Sequence, residues 1–327
     1  MSQFQRRSFL LATAGLLATP HLTLAQQQTK VARIGFLFAG TLAQRPQSQG
    51  LWDALKELGY TPGKNVLVEI REGKGKVEQL PQFAQELVNW KPDVIVAVTP
   101  TGITAAQRAT TTVPIVMAII GNPVPSGIVR NLAHPEGNTT GPVIVFDANL
   151  VGKQLQLLKE MIPTLSRVGY LWNTDTFASL SERLLHTAAS LGVEIHPLPY
   201  RGPDTLHDAL DLSLGEKVQA ILVQGDPVSF DRRAAIASFA AAHRLPTAHL
   251  WRDEVAEGGL MAYGLSIYKE YRRVAPYVDK LLRGAKPADL PIEQQRRWEL
   301  YINMKTAKAL GMKVPRSLLV AADELIE

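Results

Sequence analysis

The pattern that most constrains this chain occurs twice. From Ala32 the sequence reads ARIGFLF, a helical stretch SQGLWDALKELGY, NVLVEI, a second helical stretch LPQFAQELVNW, and KPDVIVAVTP. From Ser166 it reads SRVGYLW, SERLLHTAASLG, VEIHPLPY, TLHDALDLSLG and KVQAILVQGDP. Both copies spell strand, helix, strand, helix, strand, and in both the first helix stops on Leu-Gly before a strand follows. The match continues, since RATTTVPIVMAII parallels AAHRLPTAHLW and NTTGPVIVF parallels GGLMAYG. Short, continuous apolar strands alternating with amphipathic helices call for parallel sheets covered on both faces. The expected fold class is α/β, with two doubly wound parallel-sheet lobes. A length of 327 residues, beyond the usual size of a single core, agrees with two lobes.

The tail is too short for a third domain. One long helical stretch, SIYKEYRRVAPYVDKLLRG, and a β-like pair around WELYINMKTAKALG are all that follow Gly264. They are expected to complete the two lobes: residues 30–146 plus 265–288 in the N-terminal lobe, and 147–264 plus 289–327 in the C-terminal lobe. That division makes the chain cross between lobes more than once. Several crossings form a multi-strand hinge, and a hinge between two lobes makes a cleft that can close.

Ligands of open α/β sheets bind beyond the carboxyl ends of the strands, so those ends give the candidate site. In the first lobe they supply Ala39, Gly40, Thr99, Thr101, Gly102, Gly121 and Asn122; in the second, Asn173, Asp175, Gly225, Asp226, Trp251 and Tyr263. The set is rich in Gly, Thr and Asn and poor in His, Lys and Glu, which suits hydrogen-bonding a small polar ligand better than moving its protons. Thr99 to Gly102 opens a helix, where free amides and hydroxyls could dock a carboxylate or simply cap the helix. Asp226 could pair a cationic group or cap the helix that follows it. Asn173 and Asp175 face the same choice. Trp251 and Tyr263 could stack on a planar ligand or belong to the core. The Gly- and Pro-rich loop GNPVPSGIVRNLAHPEGNTTG, Gly121 to Gly141, is expected to shape one wall of the cleft.

The amino terminus carries a different kind of signal. MSQFQRR is a positive region, SFLLATAGLLAT an apolar core, and PHLTLA a breaker with small residues before QQQ. This is the order of a secretory signal peptide, residues 1–25, cut near Ala25. Arg6-Arg7-x-Phe9-Leu10 resembles the twin-arginine export signature, with a general-secretion leader as the alternative. The expected location is the periplasm. Removing Arg6 and Arg7 with the leader leaves 33 Lys and Arg against 30 Asp and Glu, a net charge of +3 that argues for no nucleic-acid partner. The absence of cysteine removes disulfides, thiolate catalysis and Cys-based metal sites. The seven histidines show no metal-ligand spacing, and Gly73-Lys74-Gly75 fits neither a dinucleotide nor a Walker loop. No cofactor, no metal, and no acid/base pair or nucleophile that would make an enzyme are expected.

Taken as one string, GLWDALKELGY, KPDVIVAV, TGITAAQRATTTVPIVM, GNPV, GIVRNLAHPEGNTTG, GKQLQLLKEMIPTLSRVGYLWN, ILVQGDP, HRLPTAHLWRDEVAEGGLMAYG and INMKTAKALGMKVP resemble bacterial ABC-transporter substrate-binding proteins. More narrowly, residues 30–327 look like the tryptophan-binding-protein-like family. The resemblance implies a periplasmic binding protein type I fold and a small solute, amino-acid-like and either polar or aromatic, closed between the lobes. It also implies delivery to an ABC permease of the inner membrane by a monomer. A ligand sensor presenting the closed form to a membrane receptor is the alternative, and a periplasmic enzyme a more distant one. The family often reads Gly-Asp-Pro-Val where this chain has Gly121-Asn122-Pro123-Val124. There a neutral amide replaces a carboxylate that could pair an ammonium.

Overall fold

In the computed structural model, which describes residues 31–327 apart from 41, 43–45, 75, 145–149, 175–181 and 296, the duplication becomes two sheets of the same winding. The leader and Asp175 lie outside the described residues. The first sheet contains β1 (Ala32–Phe38), β2 (Val66–Glu72), β3 (Val94–Val98), β4 (Ile115–Ala118) and β5 (Thr139–Thr140). Its order is β2-β1-β3-β4-β5, parallel throughout. Helices α1 (Gln49–Glu57), α2 (Leu80–Asn89) and α3 (Thr99–Ala109) make the crossovers. After α4 (Leu150–Met161) comes the second sheet, with β6 (Arg167–Asn173), β7 (Glu194–Tyr200), β8 (Ala220–Val223), β9 (Thr247–Trp251) and β10 (Met261–Leu265). The order β7-β6-β8-β9-β10 repeats the winding of the first sheet. Its crossovers carry α5 (Glu182–Ser190), α6 (Leu206–Gly215), α7 (Pro227–Asp231), α8 (Arg233–Ala242) and α9 (Arg252–Ala256).

The continuous apolar strands are buried on both faces because alternate residues serve different layers. Ile34, Phe36 and Phe38 of β1 and Val94, Val96 and Val98 of β3 point into one cluster, while Leu37, Ile95 and Ala97 point into another. The second sheet does the same, with Val168, Tyr170 and Trp172 on one face and Leu171 on the other. Each such side chain, fully buried, contributes about 1.5–3 kcal/mol.

The tail completes both lobes. Helix α10 (Ile267–Leu282) packs on the first sheet through Tyr271, Val274, Ala275 and Val278, beside Leu51 and Leu55 of α1. A β-carbon at Gly50 would overlap the Tyr268 carbonyl, so the close approach of α1 and α10 needs glycine there. Strand β11 (Glu299–Asn303), helices α11 (Met304–Ala309) and α12 (Arg316–Ala321), and strand β12 (Glu324–Ile326) finish the second lobe.

Two details differ from the sequence reading. Residues 289–294, expected with the C-terminal lobe, lie against the first. Leu290 and Ile292 are buried in its clusters, Thr140 Oγ1 donates to the Leu290 carbonyl at 2.6 Å, and Val143 N donates to the Glu293 carbonyl at 2.9 Å. The second difference is that β11 runs antiparallel to β10, with β12 parallel to β11. Strand β10 ends at the crossing to α10, and the chain comes back beside that point, so its next strand has to run away from it.

Three passages therefore join the lobes: β5 to α4, β10 to α10, and the 290–294 segment to β11. Arg273 of α10 ties them. Its guanidinium donates to Glu270 at 2.6 Å, to the Glu293 carbonyl at 2.9 Å and to the Val143 carbonyl at 3.5 Å. Lys269 adds an ion pair across the passage to Glu299 at 2.9 Å.

Candidate functional site

Both sheets have the strand order whose switch point lies between the first strand and the third, and the loops leaving those strands flank a crevice. In the first lobe the loop after β1 is pinned at both edges. Gly73 N donates to the Phe38 carbonyl at 2.8 Å, Lys74 N to the Gly40 carbonyl at 3.1 Å, and Leu42 N to Glu72 Oε1 at 3.1 Å. Ala39 and Gly40 are half-buried, and a β-carbon on Gly40 would come within 2.7 Å of the Phe38 ring.

The ends of β3 and β4 are strained. Thr99 has φ +65° and Ile119 φ +49°, left-handed values that β-branched residues rarely adopt. Such backbone costs about 1–3 kcal/mol per residue and clusters at functional sites. The Thr99 hydroxyl donates to the Val98 carbonyl at 2.6 Å and lies 3.2 Å from the exposed Thr101 hydroxyl; Gly102 is buried beneath them. Sequence reasoning found Thr99 but missed Ile119, because an apolar residue at a strand end carries no sign of positive φ. Gly121 is half-buried. Asn122 is exposed, and its Oδ1 accepts the Val124 N–H at 3.2 Å, an Asx turn that shapes its own loop. The loop beyond it holds no helix; buried Ile128 and Val129 anchor it, and Gln107 Nε2 donates to the Ile128 carbonyl at 2.9 Å.

The second lobe gathers its candidates into a buried network. Asp226 is 5% exposed, and its carboxylate accepts the Val228 N–H at 2.7 Å, Asn173 Nδ2 at 3.3 Å and the Tyr200 hydroxyl. The Asp226 N–H in turn donates to Ser229 Oγ at 3.0 Å, which completes a capping box on α7. Of the two readings open at Asp226, the helix cap is thus present, and the carboxylate carries three donors. Burial, with the Asp226 carboxylate beside it, pushes the Tyr200 hydroxyl pKa well up, so it stays a proton donor. Tyr200 was not singled out by sequence; only its place at the end of β7 could have pointed to it.

Trp251 is buried, edge-on to Phe230 with ring centroids 6.5 Å apart, and its backbone N–H donates to Glu254 Oε2 at 3.0 Å. A β-carbon on Gly225 would come within 2.8 Å of Trp251 Nε1, so Gly225 lets the ring close over the end of β8. Tyr263 sits within β10, half-buried, and its carbonyl accepts Gln154 Nε2 at 2.9 Å.

A cavity of about 540 Å³ opens on the carboxyl side of the second sheet, lined by Pro203, Val228, Asp231, Arg232 and Arg233. Arg233 lies over the Phe230 ring at 4.8 Å and 3.5 Å from Glu257. A second cavity, about 340 Å³, lies behind the hinge among Lys269, Glu270, Arg273, Arg297 and Glu299. The sequence reading also passed over Asp253, two residues beyond β9. Burial raises its carboxyl pKa, partly offset by the Gln47 side chain from the first lobe and by the Ile267 backbone. Phe38 and Val98 at the ends of β1 and β3 share one buried cluster with Phe230, Leu250 and Trp251 of the second lobe, joined by Leu265 and Ile267.

Among the described residues no group of three or more His, Cys, Asp or Glu could hold a metal ion, and no helix is long and apolar enough to cross a membrane. The arrangement offers hydroxyls, amides, aromatic faces and a few carboxylates around a crevice.

Comparison with known proteins agrees with this. Residues 40–326 match the family model described as ABC transporter substrate binding protein. A tyrosine-binding protein of Clostridioides difficile (strain R20291) is 25% identical over 267 residues, covering 81% of this chain and 76% of that protein. Among solved structures, a conserved domain protein from Vibrio cholerae superposes with a TM-score of 0.78 at 26% identity, over 90% of this chain and 100% of its own. A Streptococcus pneumonia ABC domain in complex with L-Trp gives 0.77 at 24%, over 90% and 99%. The fold is that of the type I periplasmic binding proteins, and the chain belongs to the ABC transporter substrate-binding protein family.

Proposed function

We propose that the protein is exported, captures an amino-acid-like solute between its lobes, and hands it to an ABC permease of the inner membrane. The lobes of this proposal are residues 31–144 with 266–294, and 150–265 with 299–327. The observation that carries it is the shared cluster of Phe38, Val98, Phe230, Leu250 and Trp251, which sets the carboxyl ends of the two sheets against one another. A solute there meets the Thr99 to Gly102 amides and hydroxyls on one side and the Trp251 wall on the other. Those amides suit a carboxylate, and the aromatic wall suits a planar side chain. The names of the tyrosine-binding relative and of the L-Trp complex support an aromatic amino acid as the first solute to try. The protein is a binder rather than an enzyme in this reading, and works as a monomer in the periplasm.

The test is a thermal-shift and tryptophan-fluorescence titration across amino acids, purines, urea-like and aromatic solutes, with native mass spectrometry of protein purified without refolding. Trp251, in the shared cluster, gives fluorescence a reporter beside the crevice. A binder at one hundred times its Kd stabilises the fold by about 2.7 kcal/mol. The reading fails if no amino acid moves the melting temperature and no solute travels with the protein.

A further inference from the structure

Strand β10 loses its register with β9 just where the chain turns toward α10. Ala262 pairs with His249, yet the next pair is Leu265 with Trp251, so β10 uses one residue more than β9 between them. Toward β11 the register runs unbroken, Tyr263 with Leu300 and Gly264 with Glu299. The interruption is thus a β-bulge on one edge of β10, and it falls at Tyr263 and Gly264. A β-carbon on Gly264 would lie 1.5 Å from the Leu250 carbonyl oxygen, so only glycine lets the bulged backbone pass β9. Two carbonyls at the bulge are met by one side chain. Gln154 Nε2 donates to the His249 carbonyl at 3.0 Å and to the Tyr263 carbonyl at 2.9 Å. Gln154 stands in α4 and is 3% exposed. Its amide nitrogen carries two N–H groups, one for each carbonyl.

Bulges re-aim a side chain, and they are over-represented beside functional sites. Here the re-aimed residue is Tyr263. Its half-buried ring packs both on the second-lobe core and on the cluster that Phe38, Phe230 and Trp251 share where the two sheets meet. We propose that Gln154 is a positioning residue for solute capture: by holding the bulge, it fixes the Tyr263 ring at the crevice and so sets the affinity for a planar side chain. The inference rests on the reading of a solute captured between the lobes, and it names a residue that acts on the solute only through another. A methionine could fill the volume of Gln154, but only an amide brings two neutral donors to two carbonyls. Without it both carbonyls lose a buried partner, and Tyr263 shifts with its backbone as the strand relaxes.

The experiment is isothermal titration of tyrosine, tryptophan and phenylalanine into the full chain, its Gln154→Met and Tyr263→Leu variants, and the double variant. Gln154→Met is expected to weaken the best-bound of them by about tenfold, the size of a lost hydrogen bond. Tyr263→Leu is expected to do the same, as the loss of an aromatic contact does. In the double variant the Gln154 change should add less than about twofold, because the ring through which it acts is gone. Losses that multiply instead, to about 100-fold, assign Gln154 to the core and overturn the inference while leaving solute capture intact. Unchanged affinity in Gln154→Met overturns it as well. Fluorine NMR of protein carrying fluorotyrosine tests the same point if Gln154→Met fails to fold. The Tyr263 signal, assigned by its absence from Tyr263→Phe, should shift when the bound amino acid saturates the protein, and a signal that stays in place overturns the inference. A wild-type protein that binds none of the three amino acids overturns the proposed aromatic solute and this inference with it.

Discussion

The two lobes share a winding but meet the crevice with different chemistry. In the second, the strand ends are locked: Asn173, Tyr200, Asp226 and Ser229 bond one another out of solvent, and Trp251 is held by Glu254. In the first, Thr101 and Asn122 are exposed, and Thr99 and Ile119 keep strained left-handed backbone. One rim therefore bonds its polar side chains to one another out of solvent, and the other keeps Thr101 and Asn122 at the surface, bonded only within their own loops. Duplication of a fold duplicates the scaffold, and each rim is then free to specialise. The rigid rim presents a fixed wall, while the open rim presents donors that a solute can engage.

The largest expected effect tests the locked rim. Asp226→Ala removes the cap of α7 and the acceptor that the Tyr200 hydroxyl, the Asn173 amide and the Val228 N–H share. A loss of about 3–5 kcal/mol is expected in urea unfolding, from one cap and the other buried hydrogen bonds to the carboxylate. Thr101→Ala, on the open rim, should change stability by less than about 0.5 kcal/mol yet weaken the solute. Equal stability losses in the two variants would erase the difference between the rims.

A smaller effect sharpens the same contrast. Tyr200→Phe keeps the ring and deletes only the hydroxyl that donates to Asp226. The carboxylate retains two donors, so a loss of about 1–2 kcal/mol is expected. Solute affinity should change little, because the hydroxyl serves the wall from behind. A large fall in affinity with unchanged stability would move Tyr200 from support to contact.

Much of this layout was legible in the sequence, and the reason is periodicity. Parallel strands buried on both faces must be continuous apolar runs, so ARIGFLF and SRVGYLW declare themselves, and topology then fixes which loops flank the crevice. The network around Asp226 was half legible. Asp226 itself follows a strand as a cap residue does, but Tyr200 belongs to another strand and joins it only when the sheet forms. The direction of β11 was hidden because an apolar pattern reads the same whichever way a strand runs. The pairing of Gln47 with Asp253 was hidden for a stronger reason. The two residues are separated by most of the chain and meet only across the lobes, so neither local spacing nor a strand-end rule brings them together.

A stability effect of the opposite sign concerns Asp253. Burial raises the Asp253 carboxyl pKa above its ordinary value, so ionising it costs the fold. Below the unfolded carboxyl pKa, about 4, both states are protonated and the cost is absent. It grows as the pH rises from there through the folded pKa and is constant above it. Without solute, Asp253→Asn should therefore match wild type near pH 4 and melt higher at pH 7, by no more than about 1 kcal/mol. A scan of melting temperature against pH reads this directly, and a variant that melts lower at pH 7 than at pH 4 relative to wild type contradicts it. The sign of that difference tells whether burial or the donors around Asp253, Gln47 among them, dominate where the two lobes meet.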